Sequence, residues 1–336
     1  MKIAILYGPR DLRVEEQELD TANLEPDQVW VETQISGFKI GTDRGNYEGA
    51  EQVPGAPDYP RSVGDSNLGI VRGVGSAVEH FAIGDQVVSI ASHQSEYIMS
   101  EKLRIVKVPA GTDPENAVFS NLYALSAHCY TKAMFTPGET VAVVGLGVLG
   151  LGAVALGPLF GARVVGLGNS ELRLEMAGRA GAHSAYLSDD PDLMAKLHEF
   201  TGGKGIDLVI LTANPWPAFR TAMEVVRKNG RVSVVSLPGR GEDPLDFNPL
   251  DMRWFYDKGI SLIAVNGMEG ERYPGPTERC AGEKRWDHVL QLMQDGLLEP
   301  KKLITHRLHY SEMVEAYEMA YRREKNMLNV VFNWKD

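Results

Sequence analysis

The chain has 336 residues, enough for two domains that each bury a core. Hydrophobic residues make up 43% and charged residues 24%, values that exclude a disordered or fibrous protein. A formal net charge of −11 without a cluster of Lys and Arg excludes nucleic acid as the main partner. No apolar run reaches the roughly 18 residues that span a bilayer, and MKIAILY is too short for a signal peptide, so we expect a cytoplasmic protein without a membrane partner.

The first 110 or so residues predict an all-β segment, because short apolar stretches alternate with turns rich in Gly, Pro and Asp. The predicted strands are KIAILY, DQVWVETQISG, LGIVRGVG, DQVVSIA and RIVKVP. From Pro114 onward the apolar residues take helical spacing, until Pro137 and Gly138 end that pattern. A helix therefore leads into the next segment.

Residues 140 to 267 predict alternating strands and helices. The predicted strands are TVAVV, ARVVGLG, IDLVILTA, GRVSVVSL and SLIAVNG, and the predicted helices run from about Leu149 to Phe160 and lie in SELRLEMAGRA, DLMAKLHEF and PAFRTAMEVVRK. Repeated β-α-β units imply a doubly wound parallel sheet, so the fold class is α/β. The tail adds helices in RWDHVLQLMQDG and SEMVEAYEMAYRRE and a closing strand, LNVVFN.

Three glycines follow the first strand of the α/β segment, in TVAVVGLGVLG. In the pattern G-x-G-x-x-G, Gly145 permits a tight turn, Gly147 lets the backbone approach a pyrophosphate, and Gly150 lets the next helix pack on the strand. Unpaired amides at the start of that helix favour an anion. The pattern alone also fits an ordinary glycine-rich turn, but the strand before it and the helix after it favour a dinucleotide site.

Motifs along the whole chain resemble those of the medium-chain dehydrogenases and reductases. ISGFKIGTD is similar to the family's segment ending in Cys-Gly-Thr-Asp, GDSNLGIVRGVGSAVEHFAIGDQVV to its Gly-His-Glu block, and VAVVGLGVLGLGAVALGPLFGARVV to its cofactor turn. The tail LITHRLHYSEMVEAYEMA resembles the sorbitol and threonine dehydrogenase branch. The resemblance implies a β-rich GroES-like catalytic domain of residues 1–120 and 269–336, a Rossmann NADP-binding domain of residues 121–268, and an active site in the cleft between them.

The chain departs from the family at the positions that bind catalytic zinc. Ile40 stands where zinc-dependent members have the Cys ligand, and Asp65 and Ser66 stand where they have His and Glu. The region that usually supplies a third ligand reads Ser120 and Asn121. One carboxylate gives neither the charge nor the ligand number of a stable site, so we predict no catalytic metal.

The structural zinc of the family is also not expected. The four-cysteine lobe that would follow Asp85 is missing, because DQVVSIASHQSEYIMS passes directly into the next strand. Cys129 and Cys280 are the only cysteines and are far apart in sequence, which excludes a thiolate zinc site and a disulfide framework.

The end of the second α/β strand bears on the choice of cofactor. An NAD site usually needs an acidic residue roughly 20 positions beyond the glycines, and this strand ends in Gly168. Asn169 and Ser170 offer hydrogen bonds and Arg173 a cation for a 2′-phosphate, so we predict NADP. Alternatively, Ser170 only caps a helix and Arg173 is solvated; Glu171 counts against NADP if it turns inward. The predicted cofactor-binding residues are Gly145, Gly147, Val148, Leu149, Gly150, Gly168, Asn169, Ser170, Arg173, Ala213, Leu237 and Asn266.

Without zinc, the negative charge that develops on the substrate needs another stabilising group. The chemistry that the resemblance implies is then either reduction of a conjugated C=C bond or interconversion of a carbonyl and an alcohol with a protein acid or base. A different class of function is an NADPH-binding regulatory or structural protein without catalysis. The pocket retained around Thr42 and Asp43 favours an enzyme.

Candidate catalytic residues come from the positions that correspond to the metal site. Thr42 matches the family's hydroxyl relay, Asp65 is a carboxylate that an apolar cleft could turn into an acid, and Lys39 is a second proton donor. The corresponding structural interpretations are a turn, a loop-shaping Asp and a solvated lysine in a polar loop. Candidate substrate-binding residues are Ile40, Tyr47, Ser66 and Asn121, whereas His93 and His128 are interpreted as structural.

The last strand of the α/β segment, SLIAVNG, is short and apolar and would form an exposed sheet edge in a monomer. Members of the family pair this edge across a two-fold axis. We therefore expect a homodimer that acts on a small molecule, and the sequence does not identify that substrate.

Overall fold

The structure is a computed structural model that describes residues 1–50, 57–266 and 282–335, apart from the side chains of residues 282 and 283. It divides into two compact units, Met1–Asn121 with Trp286–Asp336 and Leu122–Arg285, called here the first and the second unit. The first unit is rich in antiparallel strands and the second contains a parallel sheet flanked by helices. The predicted fold class, GroES-like plus Rossmann, is confirmed.

The strands are numbered along the described chain. They are β1 (Lys2–Leu6), β2 (Leu12–Glu16), β3 (Gln28–Phe38), β4 (Arg61–Ser62), β5 (Asn67–Val74), β6 (Gln86–Ser89), β7 (Glu96–Ser100), β8 (Ile105–Lys107), β9 (Thr140–Val144), β10 (Arg163–Gly168), β11 (Ser184–Leu187), β12 (Ile206–Leu211), β13 (Val226–Val234), β14 (Ser261–Ala264), β15 (Ile304–His309) and β16 (Asn329–Asn333).

The helices are numbered in the same way. They are α1 (Ile40–Tyr47), α2 (Pro114–Ala117), α3 (Ser120–Lys132), α4 (Val148–Leu159), α5 (Glu171–Arg179), α6 (Leu193–Phe200), α7 (Trp216–Val225), α8 (Gly282–Gln294) and α9 (Met313–Tyr321). Within the described residues, no helix is both long enough and apolar enough to cross a membrane.

The first unit is built around β3, the longest of its strands. β3 lies between β16 and β5 in the sheet order β15-β16-β3-β5-β6-β8, and β7 also pairs with it. Residues 28–32 of β3 pair with β7, whereas residues 35–38 pair with β16. β3 therefore has different neighbours at its two ends. The tail of the chain thereby completes the sheet that the first segment begins.

Helix α1 follows β3 directly and carries the IGTD sequence. Lys39 is the N-cap residue of this eight-residue helix, so the alternative of a lysine in a polar loop does not describe its position. IGTDRGNY has neither an apolar stripe nor a preferred N-cap residue, so its pattern does not indicate a helix. Its burial against α9 compensates, since Tyr47 and Tyr317 pack edge to face with ring centroids 5.4 Å apart.

The second unit has the strand order β11-β10-β9-β12-β13-β14, with every pair parallel. Central strand β9 is buried along Val141–Val144, as its apolar β-branched run predicts. The predicted helix PAFRTAMEVVRK ends earlier, at Val225, and β13 begins at once. Lys258 stabilises this early end, because its Nζ donates hydrogen bonds to the carbonyls of Met223, Glu224 and Val226.

Candidate active site

The glycine turn lies between β9 and α4 in the second unit. Gly145 has φ 98°, and a Cβ there would lie 2.7 Å from the Cβ of Ala213. A Cβ on Gly150 would lie 1.8 Å from the carbonyl oxygen of Gly145, whereas a Cβ on Gly147 would have no atom within 4 Å. Gly145 and Gly150 therefore make the turn and the helix packing possible. Gly147 instead faces open space just before Val148 and Leu149, the first residues of α4.

The end of β10 is crowded, so that any side chain at Gly168 would displace a neighbour. A Cβ on Gly168 would lie 2.9 Å from Cδ1 of Leu146. Ser170 is the N-cap residue of α5, yet its hydroxyl makes no capping hydrogen bond and has no partner among the described residues, although it is buried. Asn169 and Glu171 are exposed on either side of it. The hydroxyl of Ser170 is thus available for a ligand rather than used as a helix cap.

Arg173 lies one turn further along α5. Its Nη1 donates a hydrogen bond of 2.8 Å to the carbonyl oxygen of Leu146 in the glycine turn. The guanidinium group is therefore held beside the turn instead of extending into solvent. This contact brings the predicted phosphate cation and the predicted pyrophosphate turn together.

The other predicted cofactor residues follow β12, β13 and β14. Ala213 touches the glycine turn, the amide of Leu237 donates to Oδ1 of Asn214 at 3.0 Å, and Oδ1 of Asn266 accepts from Nζ of Lys132 at 3.0 Å. Sequence reasoning missed Ser236, whose hydroxyl is buried and has no partner within the described chain. Its position just after β13 was the available signal, because ligands bind at the carboxyl ends of parallel strands.

A dinucleotide fits these residues. Buried hydroxyls without a partner are rare in folded proteins. Ser170 and Ser236 are two such groups, and they follow the carboxyl ends of β10 and β13 in the same parallel sheet. Ribose hydroxyls and phosphate oxygens are suitable partners for them. The open space at Gly147, in front of the first amides of a 12-residue helix, suits a pyrophosphate.

The first unit brings two of the predicted catalytic residues together. Lys39 and Asp65 form an ion pair between Nζ and Oδ2, with side chains that are 16% and 39% exposed. Gly64, the residue before Asp65, has φ 90°, and a Cβ there would lie 2.7 Å from the His93 ring. The backbone that leads into Asp65 therefore requires glycine at this position. The Lys39–Asp65 pair joins residues 26 positions apart.

Two predicted substrate-binding residues support the backbone at this pair. Asn121 donates from Nδ2 to the carbonyl oxygen of Asp65 at 2.6 Å. The Ser66 hydroxyl hydrogen-bonds to the carbonyl oxygen of Val118 and lies 3.0 Å from Oδ1 of Asn121. Both side chains are buried and use their polar atoms within the protein, so they hold Asp65 in place.

The remaining candidates lie on α1. Tyr47 is 1% exposed and donates its hydroxyl to Oε1 of Glu318 at 2.6 Å, so the structure places it in the core and not on the wall of a pocket. Ile40 packs partly buried against the same core. Thr42 is half-buried in the first turn, where its amide donates to the carbonyl oxygen of Lys39 at 3.0 Å. Among Ile40, Thr42 and Tyr47, Thr42 is the residue with a polar side chain that lies nearest to Lys39 in sequence.

Asp43 is a charged group that sequence reasoning did not select as catalytic. It is 3% exposed, and its Oδ2 accepts the backbone amide of Lys39 at 3.0 Å. Burial, and then the negative charge of Asp65, raise the pKa of Asp43 to about 7, whereas the positive charge of Lys39 lowers it. The Asp43 carboxyl, whose pKa is near neutral, is therefore hydrogen-bonded to the backbone of Lys39 in the Lys39–Asp65 pair.

The residues at this site do not fit zinc. Ile40 has no donor atom, the Asp65 carboxylate is paired with an ammonium group, and the polar atoms of Ser66 and Asn121 serve the protein itself. A dication next to the Lys39 ammonium would be repelled. Within the ranges that the structure describes, no three His, Cys, Asp or Glu side chains form a group that could hold a metal ion.

Comparison with known proteins gives consistent similarities. The family of zinc-binding dehydrogenases matches residues 148–281. Sorbitol dehydrogenase of Bacillus subtilis strain 168 is 22% identical over an alignment 362 residues long, which covers 98% of this chain and 96% of that protein. An alcohol dehydrogenase of Escherichia coli CFT073 in complex with NADH has a TM-score of 0.79 at 20% identity and 99% coverage of both chains. Quinone oxidoreductase of Escherichia coli in complex with NADPH has a TM-score of 0.79 at 19% identity, covering 99% of this chain and 100% of that one.

These similarities extend over nearly the whole chain, and they agree with the two units and with the glycine turn between β9 and α4. The first unit includes residues from both ends of this chain. The chain therefore belongs to the medium-chain dehydrogenase/reductase superfamily of oxidoreductases.

Proposed function

We propose that the protein is a zinc-independent oxidoreductase that uses NADP(H) and acts on a small organic substrate, either a carbonyl or alcohol or a conjugated C=C bond. The observation that carries this proposal is the Lys39–Asp65 ion pair, in which Asp65 stands at the position of a zinc ligand of the superfamily and Lys39 stands next to another such position, Ile40. An ammonium group is an acid and an electrostatic stabiliser, so it takes over the function of the metal at the substrate oxygen.

The preference for NADP is supported by the end of β10. A carboxylate there would compete with a 2′-phosphate, and Gly168 carries none; any side chain at this position would also displace Leu146. Glu171 is exposed, Ser170 offers an unpaired hydroxyl, and the Arg173 guanidinium lies beside the glycine turn. A guanidinium group and a hydroxyl are the donors that phosphate prefers.

The proposed mechanism divides the reaction between cofactor and protein. The nicotinamide, when bound, supplies or accepts the hydride. Lys39 donates a hydrogen bond, and then a proton, to the oxygen on which negative charge develops, and the ion pair with Asp65 orients the Lys39 ammonium group. Thr42 relays the proton beside them. Asn121 and Ser66 fix the Asp65 backbone, so the pair is held in one geometry before the substrate arrives.

The cofactor and metal parts of the proposal are tested by titration and by metal analysis. NADPH should bind at least about tenfold more tightly than NADH, which corresponds to roughly 1.4 kcal/mol. Tighter binding of NADH would overturn the assignment. Protein purified without added metal should keep its activity in chelator, and stoichiometric zinc with chelator-sensitive activity would refute zinc independence.

The catalytic part is tested on a panel of ketones, aldehydes, polyols, quinones and enones. Lys39→Met should lower kcat/KM by about 100-fold or more, the usual contribution of a general acid, with the NADPH dissociation constant unchanged. Lys301→Met is the matched control, because Lys301 forms a comparable pair with Asp113 in the same unit. A loss below about tenfold would remove Lys39 from the mechanism. Tight NADPH binding without turnover of any panel compound would favour the non-catalytic alternative.

A further inference from the structure

The buried carboxylate of Asp43 joins the two segments that present the Lys39–Asp65 pair. Its Oδ2 accepts the backbone amide of Lys39 at 3.0 Å, and the backbone amide of Gly64 lies near enough to lower the pKa of the same carboxylate. Lys39 is the N-cap residue of α1, and Gly64 immediately precedes Asp65. Asp43 thus bridges the start of α1 and the loop after β4, which are otherwise separate in sequence.

The charged and titratable groups around Asp43 come from each segment packed on it. Lys39 and Asp65 act on its pKa in opposite directions, as described above. From α9, Tyr317 has its pKa raised by burial and by the negative charges of Asp43 and Asp65. The His93 imidazole lies against Gly64, and burial lowers its pKa to about 4, so it carries no charge at neutral pH. The only compensating cation among these groups is Lys39.

We propose that Asp43 is a positioning residue: its ionised carboxylate holds the backbones of Lys39 and Gly64 together and thereby keeps the Lys39 ammonium against Asp65. Protonation of Asp43 weakens the hydrogen bond from the Lys39 amide and the attraction of the Gly64 amide, because a neutral carboxyl is a poorer acceptor than a carboxylate. The pair then loosens, and the environment of the ammonium changes with the charge on Asp43. The catalytic consequence rests on the proposed function, whereas the coupling between Asp43 and Lys39 does not.

The coupling is measured by NMR on full-length protein labelled with ε-¹³C-lysine and titrated from about pH 5 to about pH 9. The Lys39 signal, assigned by its loss in Lys39→Met, should shift with a midpoint near neutral pH. That step should disappear in Asp43→Asn and persist in Asp113→Asn. Asp113 is a matched control because it too accepts a backbone amide, from Glu115 at 2.9 Å, and pairs with a lysine.

A wild-type Lys39 signal without a step near neutral pH, or a step that persists in Asp43→Asn, would overturn the proposal. If Asp43→Asn does not fold, the wild-type titration and Asp43→Glu, which should retain the step, still decide. In an active enzyme, kcat/KM should fall as the pH drops below about 7, and Asp43→Asn should lose this inflection together with about tenfold in kcat/KM at pH above about 7. An NMR step in a protein without turnover would refute the proposed function and leave the coupling standing.

Discussion

Burial fixes the charge state of His93, which stands beside the candidate active site. Its imidazole is fully enclosed, and Nδ1 lies 2.8 Å from the hydroxyl oxygen of Ser36. Ser36 also accepts a hydrogen bond of 2.9 Å from the indole Nε1 of Trp334. The other ring nitrogen of His93, Nε2, has no hydrogen-bond partner among the described residues.

We predict that His93 makes stability depend on pH in acid. Burial lowers its pKa to about 4, below the ordinary value of 6.5 that the unfolded chain has. Between these values the unfolded state binds more protons, so stability is lost as the pH falls from about 6.5 to about 4, by at most about 3 kcal/mol. Urea unfolding across this range should show a smaller pH dependence for His93→Gln than for wild type.

The control for this measurement is His198→Gln, because His198 is exposed in the second unit. Asp43 contributes with the opposite sign, since its raised pKa makes the folded state bind more protons between the ordinary value of 3.8 and about 7. Both His93→Gln and wild type contain Asp43, so this contribution largely cancels in their difference. An unchanged pH dependence in His93→Gln would contradict the prediction.

The sequence predicted the members of the site better than their contacts. Lys39 and Asp65 were selected separately by comparison with the superfamily, but their ion pair depends on how two distant segments fold together. Tyr47 was expected on a pocket wall, yet its partner Glu318 lies 271 positions away, so local sequence could not reveal its burial. Asp43 was passed over for a similar reason, because its desolvation is a property of the folded core.

At the scale of elements, two glycines in the turn between β9 and α4 have different functions. Gly150 serves packing, because any side chain there meets the carbonyl oxygen of Gly145, whereas Gly147 faces open space. The assignments of Gly147 and Gly150 could be made from the sequence, because both glycines lie in one local turn and Gly150 packs against Gly145 of the same turn. Helix α1 could not be predicted, since its stability comes from α9 at the other end of the chain.

This difference predicts opposite outcomes for two substitutions that add the same methyl group. Gly150→Ala should lower the free energy of unfolding by about 1–3 kcal/mol, because the added Cβ overlaps backbone that cannot move independently. Gly147→Ala should leave thermal stability almost unchanged and weaken NADPH binding by at least about tenfold, because the methyl group fills the space for the pyrophosphate. Differential scanning fluorimetry and fluorescence titration measure the two effects. Equal effects of both substitutions on stability would contradict the assignment.

At the scale of the whole molecule, β14 is one of the two edge strands of the parallel sheet within the described residues, and β11 is the other. It pairs with β13 on one side, and its Leu262 and Ile263 are partly exposed. An apolar edge strand of this kind is a template for pairing with another chain. A second copy of this chain is the partner that we propose.

We therefore expect light scattering to give twice the mass of one chain. Ile263→Asp should shift the protein toward monomer, because a charge on the edge strand opposes its pairing. Val314→Asp is the control, since Val314 is 40% exposed in the first unit. A monomeric wild type at micromolar concentration would exclude the dimer, and an equal response of both variants would exclude β14 as the interface.

The crowding at Gly168 also constrains how cofactor preference can change in evolution or by design. A new acidic side chain at this position would meet Cδ1 of Leu146, so that the Leu146 side chain would have to shift or become smaller. Leu146 is 1% exposed, so shortening it alone leaves a cavity. A switch toward NAD that replaces both residues therefore passes through a less stable intermediate, and the order of the two substitutions matters. The proposed preference for NADP would then be protected by packing as much as by the groups that would bind the phosphate.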